Sequence, residues 1–306
     1  MKKPMIAGIK VSAVFLAIFL SGIGNNSRAQ DLTYASKEKC DERSGLEYGV
    51  VAGIYIPSGA TADFYSGKDE NENNVKYVFT NKYRYDEIWQ LLGANDTFFI
   101  REFPEKMRYT PAFGFGLFVK YDPDCRTGIY LQFSYAKLRA KDVVTIEVDP
   151  PEYLTEPDIR LCPISGTEER NMVDLGFTRS FGHSKTARFT IGGGINMNNS
   201  LVKEHVIRIE DKLGMNNKSY NLVNVYGSNQ YVPGGTQQAY DIRQGGIGFG
   251  IFGTVGARLE FSPAIAIEPG FTVYYKQIKI DPANGFTPHF NFFVKLCFRD
   301  LISFAE

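Results

Sequence analysis

Along most of this chain hydrophobic side chains return at every second position. Leu46, Tyr48, Val50, Ala52, Ile54 and Ile56 alternate with Glu47, Gly49, Val51, Gly53 and Tyr55, which describes a strand with one apolar face and one small or polar face. The same alternation marks 113–121, 129–136, 173–180, 188–196, 247–261, 265–276 and 290–299. The pattern therefore predicts eight strands, an even number.

The connections discriminate further. Between strands two and three (122–126), four and five (182–186) and six and seven (262–264) they are short and carry Gly, Pro, Asp or Ser, as tight hairpins require. The others, 57–110, 139–169, 200–244 and 277–289, are long and alternate strictly with the short ones. Short turns at one end, long loops at the other and both chain ends on the short-turn side make the topology of a bacterial outer-membrane barrel. In hydrocarbon every backbone N–H and C=O needs a partner inside the protein, so a spanning sheet must close on itself. An eight-stranded barrel has an interior just wide enough to be filled by side chains. Glycines on the inner face, at 49, 53, 114, 116, 192, 194, 248, 250, 256 and 270, then make room for Tyr130, Phe293 and the inward charges. A secreted β-sandwich is the competing architecture; its solvent face calls for Lys, Glu and Thr rather than Gly, and its loops do not sort by length.

The amino-terminal stretch reads differently. Lys2 and Lys3 precede an apolar run at 11–20, and Ser27-Arg28-Ala29 offers a small-residue cleavage site, the layout of a signal peptide spanning 1–29. The ten apolar residues fall short of the roughly 20 that a helical anchor needs. No Cys lies close enough for a lipid anchor. The remainder divides into a periplasmic segment at 30–45 and a barrel at 46–306. The whole chain balances 34 basic against 34 acidic residues. Cleavage leaves 30 basic residues, so nucleic-acid binding through bulk charge is excluded.

Signal peptide, eight alternating strands, alternating connection lengths and aromatic-rich strand ends together resemble the small outer-membrane barrels of the OmpA/OmpX type, and in particular the outer-membrane β-barrel domain family that includes PorT-like proteins. The likeness is architectural, covers nearly all of the mature chain and carries no short diagnostic motif. Such barrels often end on an aromatic residue, whereas here Phe304 is followed by Ala305 and Glu306. The resemblance implies a bacterial outer-membrane location, contact with the bilayer and lipopolysaccharide, and a monomer.

Candidate chemistry is sparse. A turn centred on Pro263 sets Arg258 across from Glu268, both inward. Glu47, Arg188 and Lys295 complete a candidate lumen charge network, with Lys120, Glu260, Lys276 and Arg299 within its reach. Mutual neutralisation in a plugged interior is the simpler reading, because unpaired buried charge is costly; a narrow gated pore is the alternative. A rim hydrolase or acyltransferase is a second alternative, since His205 and His289 fall on the long-loop side with Glu204, Glu210, Asp211 and Asp281 nearby in sequence. No nucleophile or metal motif accompanies them, His183 lies in a turn at the other end, and loop histidines are usually solvated, so no catalytic residue, metal or cofactor is expected.

The first long connection contains a short helix at 85–92, with Ile88, Leu91 and Leu92 on one face and the single Trp, Trp89, as a candidate loop-binding anchor. Local packing of that loop is the competing role. The second connection is acidic, with eight carboxylates from Asp142 to Glu169, Glu168 among them, against Arg139, Lys141 and Arg160; it reads as a solvated face rather than a Ca²⁺ loop. Segments 143–148 and 205–209 look like strands projecting above the membrane. Cys40 with Cys125 is the pair placed to meet on the short-turn side, leaving Cys162 as a loop thiol. The expected function is binding, adhesion or envelope assembly through the long loops, with an unidentified loop-bound protein or ligand as partner.

Overall fold

The computed structural model describes residues 45–71, 73–94, 97–124, 126–149, 158–182, 186–211, 214–223, 244–280 and 285–299. The expectations for the signal peptide, the 30–45 segment, Cys40, Cys125, His183 and Asp281 fall outside these residues.

Strands β1 (Gly45–Ile56), β3 (Ala112–Asp122), β4 (Thr127–Val148), β5 (Asp158–Phe181), β6 (Ala187–Glu210), β8 (Gly245–Glu260), β9 (Ile265–Gln277) and β10 (Phe286–Arg299) pair antiparallel in one ring. Each pairs with the next, and β10 returns to β1, where Glu47 lies opposite Arg299 and Ile56 opposite Phe290. Two short strands, β2 (Phe98–Glu102) and β7 (Asn217–Asn221), add to β4 and β6. All eight periodic segments of the sequence are strands of the ring. Because it closes, its eight strands have no open edge along the spanning part.

The outer face is apolar. On β3, Phe113, Phe115, Leu117, Val119 and Tyr121 are each about half exposed or more, Phe113 reaching 67%, while Phe118 and Lys120 between them are buried. Similar rows stand on every ring strand, such as Ile129, Leu131 and Phe133 on β4 and Phe290, Phe292 and Val294 on β10. From Phe113 to Tyr121 a strand rises about 27 Å, or about 21 Å along the axis at a tilt near 40°, close to the roughly 25 Å apolar band of spanning barrels. No helix of the described residues is long and apolar enough to cross a membrane. A closed ring with this belt is a transmembrane β-barrel.

Inside, small residues alternate with large ones. A methyl group added at Gly270 would lie 2.4 Å from the Phe293 ring, and one at Gly49 would lie 2.8 Å from the Phe118 ring. These glycines set how closely the inward rings pack across the lumen.

The long connections are shorter than the sequence suggested. Strands β4, β5 and β6 run 22, 24 and 24 residues, so 139–148, 158–169 and 200–210 are strand rather than loop. Their inward residues continue the alternation, with Val144, Ile146, Ile164, Val202, Ile207 and Ile209 buried. The segments 143–148 and 205–209 do project beyond the belt, as the upper parts of β4 and β6.

What those inward faces bury against is the first long connection. It folds into short helices at Gly59–Ala62, Lys76–Phe79 and Lys82–Leu92 and a 3₁₀ turn at Asp63–Ser66. Phe64, Tyr65, Val75, Val78, Ile88 and Leu92 join the strand residues in one apolar cluster. The helix expected at 85–92 starts three residues earlier, because the Asn81 side chain accepts from the Tyr83 amide and caps it; Gly93, at φ 66°, ends it in the left-handed conformation. This connection is therefore a folded cap seated among β4, β5 and β6.

Candidate functional site

Three layers of polar side chains fill the lumen. At the short-turn mouth, Arg258 on β8 grips Glu47 on β1 with both guanidinium ends, at 2.9 and 2.5 Å. Arg299 on β10 spans Glu47 and Asp122 at 3.3 Å each, Lys120 meets Asp122 at 3.0 Å, and Glu260 lies 3.5 Å from Arg188 and 3.4 Å from Arg258. These carboxylates alternate with cations around the ring, so each buried charge has an opposite neighbour.

The middle layer is built differently. Asp174 accepts from Asn196 at 2.5 Å and from the Tyr274 hydroxyl at 2.9 Å. Lys276 lies 4.3 Å from the centre of the Tyr274 ring and 3.0 Å from the Met172 sulfur. Lys295 faces Tyr130, Phe293 and Phe118 at 4.5, 5.0 and 5.3 Å. Both ammonium groups thus sit over aromatic faces, whose negative quadrupole substitutes in part for a counter-ion.

The upper layer ties the cap to the barrel. Arg170, fully buried on β5, donates to a Glu168 carboxylate oxygen, to the Tyr55 hydroxyl at 3.2 Å, to Thr61 at 3.2 Å and to Tyr109 at 3.4 Å. The other Glu168 oxygen accepts from Tyr65 at 2.8 Å and Tyr109 at 2.9 Å. Thr61, Tyr65 and Tyr109 belong to the cap; Tyr55, Glu168 and Arg170 belong to strands. Burial, and after it the Glu168 charge, hold the Tyr65 hydroxyl well above the ordinary phenol range, so it stays a donor.

The sequence-predicted network is thus divided between layers. Glu47, Arg258 and Arg188 meet at the mouth. Glu268 lies in register between Arg258 and Lys295, yet its carboxylate accepts from Thr190 at 3.3 Å while Arg258 turns to Glu47. Glu47 offers two oxygens in the bidentate geometry that a planar guanidinium favours, which the hairpin register alone does not reveal. Trp89 is half-buried, packed against the cap cluster.

Several loop assignments need correction. His205 and His289 are fully buried rather than solvated. His205 donates from Nε2 to the Tyr65 carbonyl at 3.1 Å, its Nδ1 has no partner among the described residues, and burial pushes its pKa down to about 3. His289 Nδ1 accepts from the Ser58 amide at 3.1 Å and lies 3.1 Å from the Tyr55 hydroxyl. His289 Nδ1 also lies 3.5 Å from the Arg170 guanidinium, so the two rings fasten the cap through the Ser58 amide and the Tyr65 carbonyl. Cys162 is no loop thiol: it is buried in β5, and burial raises its pKa to about 12. Glu168, read as part of a solvated acidic face, is fully buried.

The Arg170 cluster was missed from the sequence. The signal was the alternation itself: Glu168, Arg170, Met172 and Asp174 share the parity of the inward face of β5, and carrying it from Asp174 up to Glu168 places all of them inside.

The fold and its filled interior define a class, an eight-stranded transmembrane β-barrel with a folded cap. No protein-family model matches the chain and no curated protein matches it by sequence. Among solved structures it is similar to Neisserial surface protein A, at 8% identity over 83% of this chain and 97% of that one with a TM-score of 0.39. It is also similar to the outer membrane protein OprG from Pseudomonas aeruginosa, at 10% identity over 83% and 94% with a TM-score of 0.33. A third is Ail, the attachment invasion locus protein of Yersinia pestis, at 9% identity over 83% and 97% with a TM-score of 0.29.

Proposed function

We propose that this chain is a bacterial outer-membrane protein that binds a partner, in adhesion or envelope assembly, through the sheet extension at its long-loop end, with the lumen closed to permeation. The observation that carries this reading is an apolar surface beyond the lipid belt. Val143, Ile159 and Leu161 project outward from β4 and β5, with Leu161 67% exposed, and Phe99 on β2 stands across Glu147 from Ile159. Leu161 lies opposite Thr145, ten residues up the strand from Tyr135, about 25 Å above it at a tilt near 40°. Apolar side chains gathered at that height are out of lipid and mark an interaction surface.

Contact with lipopolysaccharide has its own support. Lys137, Arg139 and Lys141 are exposed at alternate positions directly above Tyr135 on β4, the depth of lipid phosphates. Against the pore alternative stand the side-chain layers that fill the lumen; a cavity beside Tyr55 and Met172 and another at the short-turn mouth measure about 10 Å³ each, room for about one water.

The test replaces Ile159 and Leu161 together by Ser. Cells carrying the double variant are expected to lose attachment and cell–cell aggregation while the heat-modifiable compact form persists on gels. Unchanged attachment would overturn the reading, and steady conductance steps in planar bilayers would overturn the closed lumen.

A further inference from the structure

The short-turn mouth holds more positive charge than its own carboxylates neutralise. Its cavity is lined by Lys120, Arg188, Arg258 and Arg299, with Arg126 at the rim, against the carboxylates of Asp122 and Glu260. Counting Glu47 behind Arg258 and Asp124 beside Arg126, five cations face four carboxylates among the described residues. The pairings account for most of these groups. Arg258 is committed to Glu47, Lys120 to Asp122, and Glu260 is shared between Arg188 and Arg258.

Two cationic donors are left over. Arg299 bonds Glu47 and Asp122 through Nη2 alone, and its buried Nε has no partner among the described residues. Arg126 is exposed in the β3–β4 turn, where its amide donates to Asp124 and its carbonyl accepts from Ser180; its guanidinium makes no hydrogen bond or ion pair among the described residues. Ser180 lines the same cavity. A buried guanidinium N–H without an acceptor is costly, and what it lacks is an oxygen or another anion.

We propose that this mouth binds a phosphate-class oxyanion. The cavity volume of about 10 Å³ admits one oxygen-sized group. Binding then has the Arg299 side chain turn its Nε, closed off from solvent in the empty mouth, toward one oxygen, while the others stay at the rim beside Arg126. Planar guanidinium groups converging from several strands suit a tetrahedral oxyanion with several acceptor oxygens better than a spherical halide. Such a site would face the compartment on the short-turn side and does not rest on the binding role proposed for the opposite end.

The test uses the full chain refolded in a zwitterionic, phosphate-free detergent. Inorganic phosphate is titrated at constant ionic strength against chloride, followed by ³¹P line broadening and by the thermal midpoint. A parallel titration uses dihexanoyl phosphatidylglycerol. Saturation by inorganic phosphate assigns a free anion, and saturation by the phospholipid alone assigns a lipid headgroup. In either arm Arg126→Gln is expected to weaken binding about tenfold or more, the worth of one charge-assisted contact, with an unchanged midpoint in the absence of phosphate because that side chain is exposed. Arg126→Lys is expected to recover part of the loss. Absence of saturation in both arms, equal binding by Arg126→Gln, or an equal effect of chloride would each overturn the proposal.

Discussion

Replacing Arg170 by Met removes the centre of the upper layer. Its hydrogen bonds to Tyr55, Thr61, Tyr109 and His289 and its ion pair with Glu168 go with it, and Glu168 stays fully buried with only the Tyr65 and Tyr109 hydroxyls as partners among the described residues. Removing one member of a buried pair costs about 3–5 kcal/mol, chiefly because the other charge is stranded. Trp89, the only tryptophan, reports on the cap, since it packs against the cap cluster, while far-ultraviolet ellipticity reports on the barrel. In urea, with a slope of about 1–3 kcal/mol per M, the fluorescence midpoint is expected to fall by at least about 1 M. The barrel transition should move far less, because β1 to β10 keep their ladders. The second arm is Glu168→Leu combined with Arg170→Met. Replacing a buried pair by apolar residues is close to neutral, so the double variant is expected to recover most of the loss. A midpoint shift below about 0.3 M for Arg170→Met, or a double variant no better than the single, would refute this account of how the cap is held.

Other outcomes follow from the same geometry. His205 is neutral when buried, its pKa lowered from 6.5 to about 3; below pH 6.5 the unfolded chain takes up a proton that the folded one refuses, so cap stability falls with pH, by roughly 2 kcal/mol from pH 7 to pH 5. Limited proteolysis of the cap should accelerate accordingly, and a profile just as steep in His205→Gln would contradict this. A methyl group at Gly166 would lie 2.0 Å from the Tyr65 ring, so Gly166→Ala is expected to loosen the cap by about 1–3 kcal/mol, seen as faster cleavage within 57–110; unchanged cleavage would speak against the packing. Cys162, buried with its pKa raised to about 12, should resist maleimide at pH 7.5 in intact protein and react after unfolding, and rapid labelling of the folded form would contradict its burial.

Much of the barrel was legible because lipid imposes a strict code. A strand with hydrocarbon on one side and a filled lumen on the other must alternate, and the even count and sorting of connections by length follow from closure. The upper parts of β4, β5 and β6 were harder to read. There the outward face meets water and carries Lys137, Arg139 and Lys141, so the apolar alternation reverses its face: Leu138, Ala140 and Val144 now point inward. A pattern tuned to outward apolar residues ends near Tyr135, although the strand does not. The buried histidines and Glu168 were misread for the same reason, since a residue assigned to a loop is assumed to be wet.

The sequence by itself determined the period-two strands, their number, the inward parity of Glu47, Arg258, Glu268 and Lys295 and the helix that carries Trp89. All of these depend on local alternation or capping, which is written into neighbouring residues. Only the tertiary structure decided that Arg258 pairs with Glu47, 211 residues away, that the first connection folds inward as a cap, and that Arg170 joins it to the barrel. Those contacts arise when the ring closes and brings β1 beside β10 and the cap beside β5. Partner choice in a closed lumen is set by which side chains reach one another across it, and that distance has no counterpart along the chain.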